Sequence, residues 1–171
     1  LDIKKNKGKG EVLQPLNNVF YKNNLSEGLA GTIHANGKDY WIISSLTSDN
    51  TPFIAIPVIK DIPDTSKIVY SAHGIQKGSV SSTISISPNS EYLYNNYNQS
   101  MLYKFSNSTG IATPYILLDT LKDRAGKLLS SYKCTYYSGT FSYTSDMLYV
   151  KIYNGSIPPS SPQNTILQVD I

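Results

Sequence analysis

The chain has 171 residues, 40% apolar and 16% charged, with a net charge of +3. The charged share is well under the roughly 25% usual in soluble domains, and Ser, Asn, Thr and 14 Tyr make up the difference. A charge this weak argues against a nucleic-acid face, no apolar run reaches the ~18 residues of a membrane span, and the one cysteine, Cys134, leaves no disulfide within the chain.

Few long charged side chains, with much Tyr, Thr, Asn and Gly, favour strands and tight turns over helices. Lys4, Lys5, Lys7 and Lys9, interleaved with Gly8 and Gly10, read as a solvated turn at a chain end. Val12 to Tyr21 reads as the last strand of a preceding unit, so residues 1–25 are set apart. A first unit over 26–80 carries strands at Leu29–His34, Tyr40–Leu46, Phe53–Ile59 and Ile68–Ala72. Asn36-Gly37 between its first two strands signals a type I′ hairpin, with positive φ at both residues. A second unit over 81–134 carries Ser82–Ser87, Tyr92–Asn96, Met101–Phe105 and Tyr115–Asp119. In Thr83-Ile84-Ser85-Ile86-Ser87 the apolar residues recur every second position, the period of a strand with two distinct faces. Asn107-Ser108-Thr109-Gly110 ends on a Gly suited to a left-handed turn position. Leu118 to Ser131 is the one helical candidate, and Gly126 makes an extended loop with at most one helical turn the better reading. An incomplete third unit over 135–171 carries Thr135–Ser142, Met147–Tyr153 and Thr165–Asp170.

Three windows repeat without gaps, opening at Ile33, Ile86 and Phe141, hence 53 and 55 residues apart. Each reads strand end, polar turn, charged residue, aromatic or aliphatic strand. A fixed period of this size marks a repeat architecture, and a strand-rich repeat of roughly 40 to 50 residues is one propeller blade. The expected fold is all-β, a partial β-propeller of about three four-stranded antiparallel blades. The chain opens on Leu1 and stops one strand short of a blade, so it is expected to be a segment whose remaining blades lie elsewhere. Two broad flanks bearing Tyr, Ile and Leu are expected to be exposed on such an arc. Trp41 and the in-strand Tyr40, Tyr92, Tyr94 and Tyr149 are expected to fill the space between blades.

The sequence points to no catalytic residue, no cofactor and no metal site. His34 and His73 are the only imidazoles, and neither stands in zinc-ligand spacing. His34 precedes a turn whose backbone its ring can satisfy, and His73 precedes Gly74 in a loop. Cys134 reads as a small buried residue, since a nucleophile would need a histidine base. Tyr97, Tyr136 and Tyr137 lie near loops or strand starts and are the candidate ligand-facing aromatics.

His34-Ala35-Asn36-Gly37-Lys38-Asp39-Tyr40-Trp41-Ile42-Ile43 resembles the H-A-N-G-[KR]-D-Y-W-[VI]-[IV] strand pair of large secreted Bacteroidetes proteins. Those proteins carry a propeller-like region and a gliding-motility-associated sorting domain read by the type IX secretion system. The segments opening at Ile84 and Leu102 resemble the same family's S-P-D-[GS] blade opening and T-G third-strand turn. The family's proline at Pro88 is replaced by Tyr143 in the third unit, and its turn Asp by Asn89 and Thr144. The resemblance implies an extracellular or cell-surface setting and a non-enzymatic binding or adhesion module, with a protein or glycan ligand. A fragment of a lactonase- or lyase-type propeller enzyme, with its site at the central channel, is the alternative. A structural spacer without a ligand is a third reading.

Overall fold

The computed structural model describes residues 4–10, 24–47, 52–72, 83–96, 100–122, 126, 128, 134–154 and 164–171. Val12 to Tyr21, His73 and Tyr97 lie outside these residues. Lys4 to Lys9 are exposed around a 3-10 turn at Asn6–Gly8.

Among the described residues, twelve strands make three antiparallel sheets in chain order. Sheet 1 contains β1 (Leu25–Ile33), β2 (Tyr40–Leu46), β3 (Pro52–Ile59), β4 (Ile62–Pro63) and β5 (Val69–Ala72). The two short strands divide the outer edge of β3: β5 pairs with Pro52 to Ala55, and β4 with Val58 and Ile59. Pro57, which has no N–H to give a ladder, falls past the end of the β5 pairing. Sheet 2 is the meander β6 (Ile84–Ile86), β7 (Tyr92–Asn95), β8 (Met101–Ser106) and β9 (Ile111–Leu117). Sheet 3 is β10 (Cys134–Phe141), β11 (Met147–Asn154) and β12 (Asn164–Asp170). Among the described residues of the helical candidate, Leu118–Thr120 form a 3-10 turn and Lys122 bridges Leu128.

The three repeated windows are one structure. Ile33 pairs with Tyr40, Ile86 with Leu93 and Phe141 with Leu148, so each window closes the same hairpin. Within the turn, His34 N donates to Asp39 O, Ser87 N to Tyr92 O and Ser142 N to Met147 O, at 2.8 to 2.9 Å. The fifth window residue takes a left-handed backbone every time: Gly37 at φ +69°, Ser90 at +63° and Ser145 at +64°. This corrects the type I′ expectation, because Asn36 stays at negative φ. Its side-chain oxygen instead accepts from the backbone N–H groups of Lys38 and Asp39, which ordinary turn geometry allows.

Left-handed serines are costly, and both are held from the neighbouring sheet. Ser90 shares a hydrogen bond with Thr32 of β1, and Ser145 Oγ accepts from Asn89 N of the preceding turn at 3.1 Å. The turns therefore line up along one end of the molecule. The first strands line up too, with β6 beside β1 on one side and β10 on the other. Thr83 donates to Tyr137 O at 2.9 Å, and Ser85 donates to Gly139 O, so β6 side chains satisfy carbonyls of β10.

Alternation along sheet 2 explains its two cores. Leu93, Tyr103, Phe105 and Ala112 point towards sheet 1 and pack with Trp41, Ile43, Phe53 and Ala55. Tyr94 and Leu102 point the other way and pack with Leu148, Val150, Ile152 and Val169 of sheet 3. Leu93, Leu102 and Leu148 are fully buried, each worth roughly 1.5–3 kcal/mol of transfer free energy. Two glycines permit the close approach. Gly110 lies under the ring of Trp41, and Gly139 under the ring of Tyr94.

One expectation about burial is corrected. Tyr40 is 47% exposed rather than core, because it alternates with Trp41 and so takes the opposite face of β2. The flank of sheet 1 is apolar and partly exposed: Leu29, Ile33, Tyr40 and Tyr70 are exposed on it, while Ile54 and Ile56, on the same face, are buried. Tyr92 and Tyr149 are half-buried, and Trp41 and Tyr94 are buried as expected.

Candidate functional site

Tyr136 and Tyr137 take opposite faces of β10 by alternation, and the register against β11 decides which faces outward. Tyr136 pairs with Ile152 and Gly139 with Val150, so Tyr137 and Ser138 together oppose Lys151. Such an extra residue re-aims the side chains beside it. Tyr136 points into the core between sheets 2 and 3, is 8% exposed, and donates its hydroxyl to Asp119 at 2.6 Å. Tyr137 points outward, is 49% exposed, and meets Tyr153 edge-to-face at 6.5 Å between ring centroids. The Lys151 amine stands 5.8 Å from the Tyr137 ring centroid, within cation–π reach. Beside this group runs a shallow groove of about 190 Å³ lined by Ser138, Gly139, Thr140, Tyr149, Lys151 and Ile166. Of the three candidate aromatics, the structure thus leaves Tyr137 on the surface and turns Tyr136 inward.

Lys151 and Tyr153 were not singled out from the sequence. Their alternation with Val150 and Ile152 was the available signal, since it sets both on the face opposite the core. A second aromatic–lysine group was also missed: Lys104 lies 4.6 Å from the Tyr115 ring centroid, and Tyr92 lies 6.0 Å from Tyr115.

Carboxylates at the turns are engaged by their own turn or by a neighbouring one. Asp39 accepts from Asn36 at 2.7 Å and from the Lys60 backbone N–H, which hold its carboxyl below the ordinary value of 3.8. Hydroxyl donors Thr144 and then Ser142 lower Asp146 in the same way. Asp64 is lowered by the Ser66 hydroxyl and then by Lys67, whose amine is 3.1 Å away. Glu91 accepts from Asn89 at 2.9 Å. A general acid needs its pKa raised towards the working pH, and the three aspartates are displaced the other way. His34 is used locally as well: Nδ1 accepts from Asn36 N at 3.0 Å, and the ring stacks on Trp41 at 5.4 Å.

These lowered values predict a pH window. Their contribution to stability is present above the unfolded carboxyl pKa and is lost as pH falls through the lower folded one. The thermal midpoint is expected to stay level from about pH 7 to about pH 4 and to drop below that. Asp39→Asn with Asp146→Asn should flatten the acid drop, as read by circular dichroism melts. A midpoint that falls already near pH 6 would contradict this assignment.

Among the described residues, no three His, Cys, Asp or Glu side chains converge as a metal site would require. Cys134 opens β10, and its side chain lies outside the described residues. No described helix is long and apolar enough to cross a membrane.

No family model and no curated protein matches the chain. Among solved structures it is similar to a Bacteroides fragilis protein named for 6-phosphogluconolactonase activity, at 14% identity and a TM-score of 0.42. The match covers 83% of this chain and 38% of that one, so the chain spans well under half of that protein's length.

Proposed function

We propose that the chain forms three consecutive blades of a β-propeller and serves as a binding module rather than an enzyme. Three features support the blade reading. Each sheet is an antiparallel meander, successive sheets stack face to face, and the first strands β1, β6 and β10 run side by side, as strands around a central channel do. The remaining blades of the ring would belong to the same larger protein. The resemblance of His34 to Ile43 to a secreted family supports a place outside the cell or on its outer surface.

One observation carries the binding reading. The exposed face of sheet 3 bears Tyr137, Tyr153 and Lys151 as one contiguous platform beside a shallow groove. Aromatic rings with an amine against one of them suit a protein or glycan ligand, since each ring offers an apolar face and a polar tip. The tip carboxylates add support, because they are held as ionised turn acceptors.

The test is a screen of the full chain against a glycan array and a panel of extracellular proteins. Any ligand found is expected to bind at least about tenfold more weakly to Tyr137→Ala with Lys151→Ala, the loss typical of an aromatic anchor. Binding unchanged in that variant would move the site elsewhere. Hydrolysis of 6-phosphogluconolactone above its spontaneous rate would replace the binding reading with the enzymatic one.

A further inference from the structure

The aromatic–lysine group of sheet 2 is separate from the Tyr137 platform, and the strand pairing builds it. Lys104 pairs with Tyr92 on one side and Thr113 on the other, so the three share a face. Leu102 has the same face and points to sheet 3. Tyr103 pairs with Pro114 and Leu102 with Ile116, which leaves Tyr115 as an extra residue in β9. Counted from Pro114, alternation puts Tyr115 on the Lys104 face, and the register shift sets Ile116 on that face as well. Ile116 takes the packed place against the core, and Tyr115 stands beside it without a cross-strand partner. Its ring centre lies 4.6 Å from the Lys104 amine and 6.0 Å from the Tyr92 ring, with the two rings tilted by 32°.

This group is open although sheet 2 is flanked by a described sheet on each side. Tyr115 is 46% exposed, Lys104 and Thr113 are exposed beside it, and Tyr92 is half-buried at the margin of the core. Among the described residues no carboxylate is paired with the Lys104 amine. A tyrosine face, an amine and a hydroxyl suit a flat unit that carries hydroxyls and one negative charge. A pyranose ring lays its C–H groups on the tyrosine, and a ring carboxylate meets the amine as a charge-assisted hydrogen bond. An acidic peptide would bring the charge without the flat ring. The same components recur on sheet 3, where Tyr137 sits at a register shift near Lys151. Two like groups on successive sheets suit a polymer, whose second unit binds at high effective concentration once the first is held.

We propose that Tyr115, Lys104, Tyr92 and Thr113 bind a carboxylated sugar unit of an acidic polysaccharide, and that the Tyr137 platform takes a second unit. The choice of a polymer rests on the Tyr137 platform being a binding site, and the Tyr115 site does not.

The full chain is titrated with three probes. Polygalacturonate has both sugar and charge, its methyl ester keeps the sugars and removes the charge, and polyglutamate keeps the charge and removes the sugars. Polygalacturonate is expected to bind, and more tightly than either control. Tyr115→Ala and Lys104→Gln should each weaken it about tenfold or more, the loss typical of an anchor residue. Lys104→Arg keeps the charge and should retain most of the binding. Both positions are exposed, and unchanged melting of the variants confirms that the fold survives. No binding of polygalacturonate overturns the proposal, as does equal binding of either control. Binding that Tyr115→Ala and Lys104→Gln leave unchanged, but that Tyr137→Ala with Lys151→Ala removes, overturns this site and leaves the Tyr137 platform standing.

Discussion

Gly110→Ala is expected to lower the unfolding free energy by about 3 kcal/mol. Two costs combine. Gly110 sits at φ +75°, where a side chain costs roughly 1–2 kcal/mol. Its added methyl would also stand 2.9 Å from two ring carbons of Trp41 and 3.2 Å from Ala55 Cβ. The indole has little room to retreat, since it is 4% exposed and its Nε1 donates to Asn107 O at 2.7 Å. Overpacking of this kind typically costs 1–3 kcal/mol. Gly37→Ala is the matched control, because Gly37 has φ +69° with nothing within 4 Å of the new methyl. It should show the backbone cost alone, about 1 kcal/mol. Denaturant melts of the two variants separate the terms. Equal losses would mean that Trp41 does not rest on Gly110.

Gly139→Ala is expected to cost about 2–3 kcal/mol for a steric reason alone. Gly139 is not in the left-handed region, but a methyl there would stand 2.6 Å from Tyr94 Cε1. Tyr94 is fully buried and its hydroxyl lies 3.0 Å from Ser100 Oγ, and burial pushes its phenol pKa well up. The ring therefore fixes the distance between sheets 2 and 3. Tyr94→Ala alone should cost about 3–5 kcal/mol, the range for deleting a large buried aromatic. Since the two residues touch, the double variant should lose clearly less than the sum. Additive losses in denaturant melts would contradict the contact.

Much of this architecture was readable because it is local. The pairings of Ile33 with Tyr40, Ile86 with Leu93 and Phe141 with Leu148 follow from a nine-residue pattern that carries its own turn. Alternation likewise assigned Ile84 and Ile86 to one face, where both pack against the core shared with sheet 1. What stayed hidden depends on neighbours distant in sequence or on irregular backbone. Nothing in the order of residues says that Gly110 meets Trp41 or that Gly139 meets Tyr94. The start of β9 at Ile111 was masked by Pro114, which the edge position and the register shift tolerate. Tyr136 and Tyr137 take opposite faces as neighbours in a strand, and only the pairing of Tyr136 with Ile152 says which one turns inward. Tyr40 was misplaced because an aromatic at a strand start carries no sign of which face it takes.

Three repeated sheets stack so that Trp41 lies over Gly110 and Tyr94 over Gly139. Two-dimensional NMR reads both contacts in one sample. This stacking predicts that the α-protons of Gly110 and Gly139 are displaced upfield by the rings above them. It also predicts nuclear Overhauser contacts from Gly110 to the Trp41 indole and from Gly139 to the Tyr94 ring. Glycine α-protons at unperturbed shifts, without those contacts, would contradict the stacked arrangement on which the rest depends.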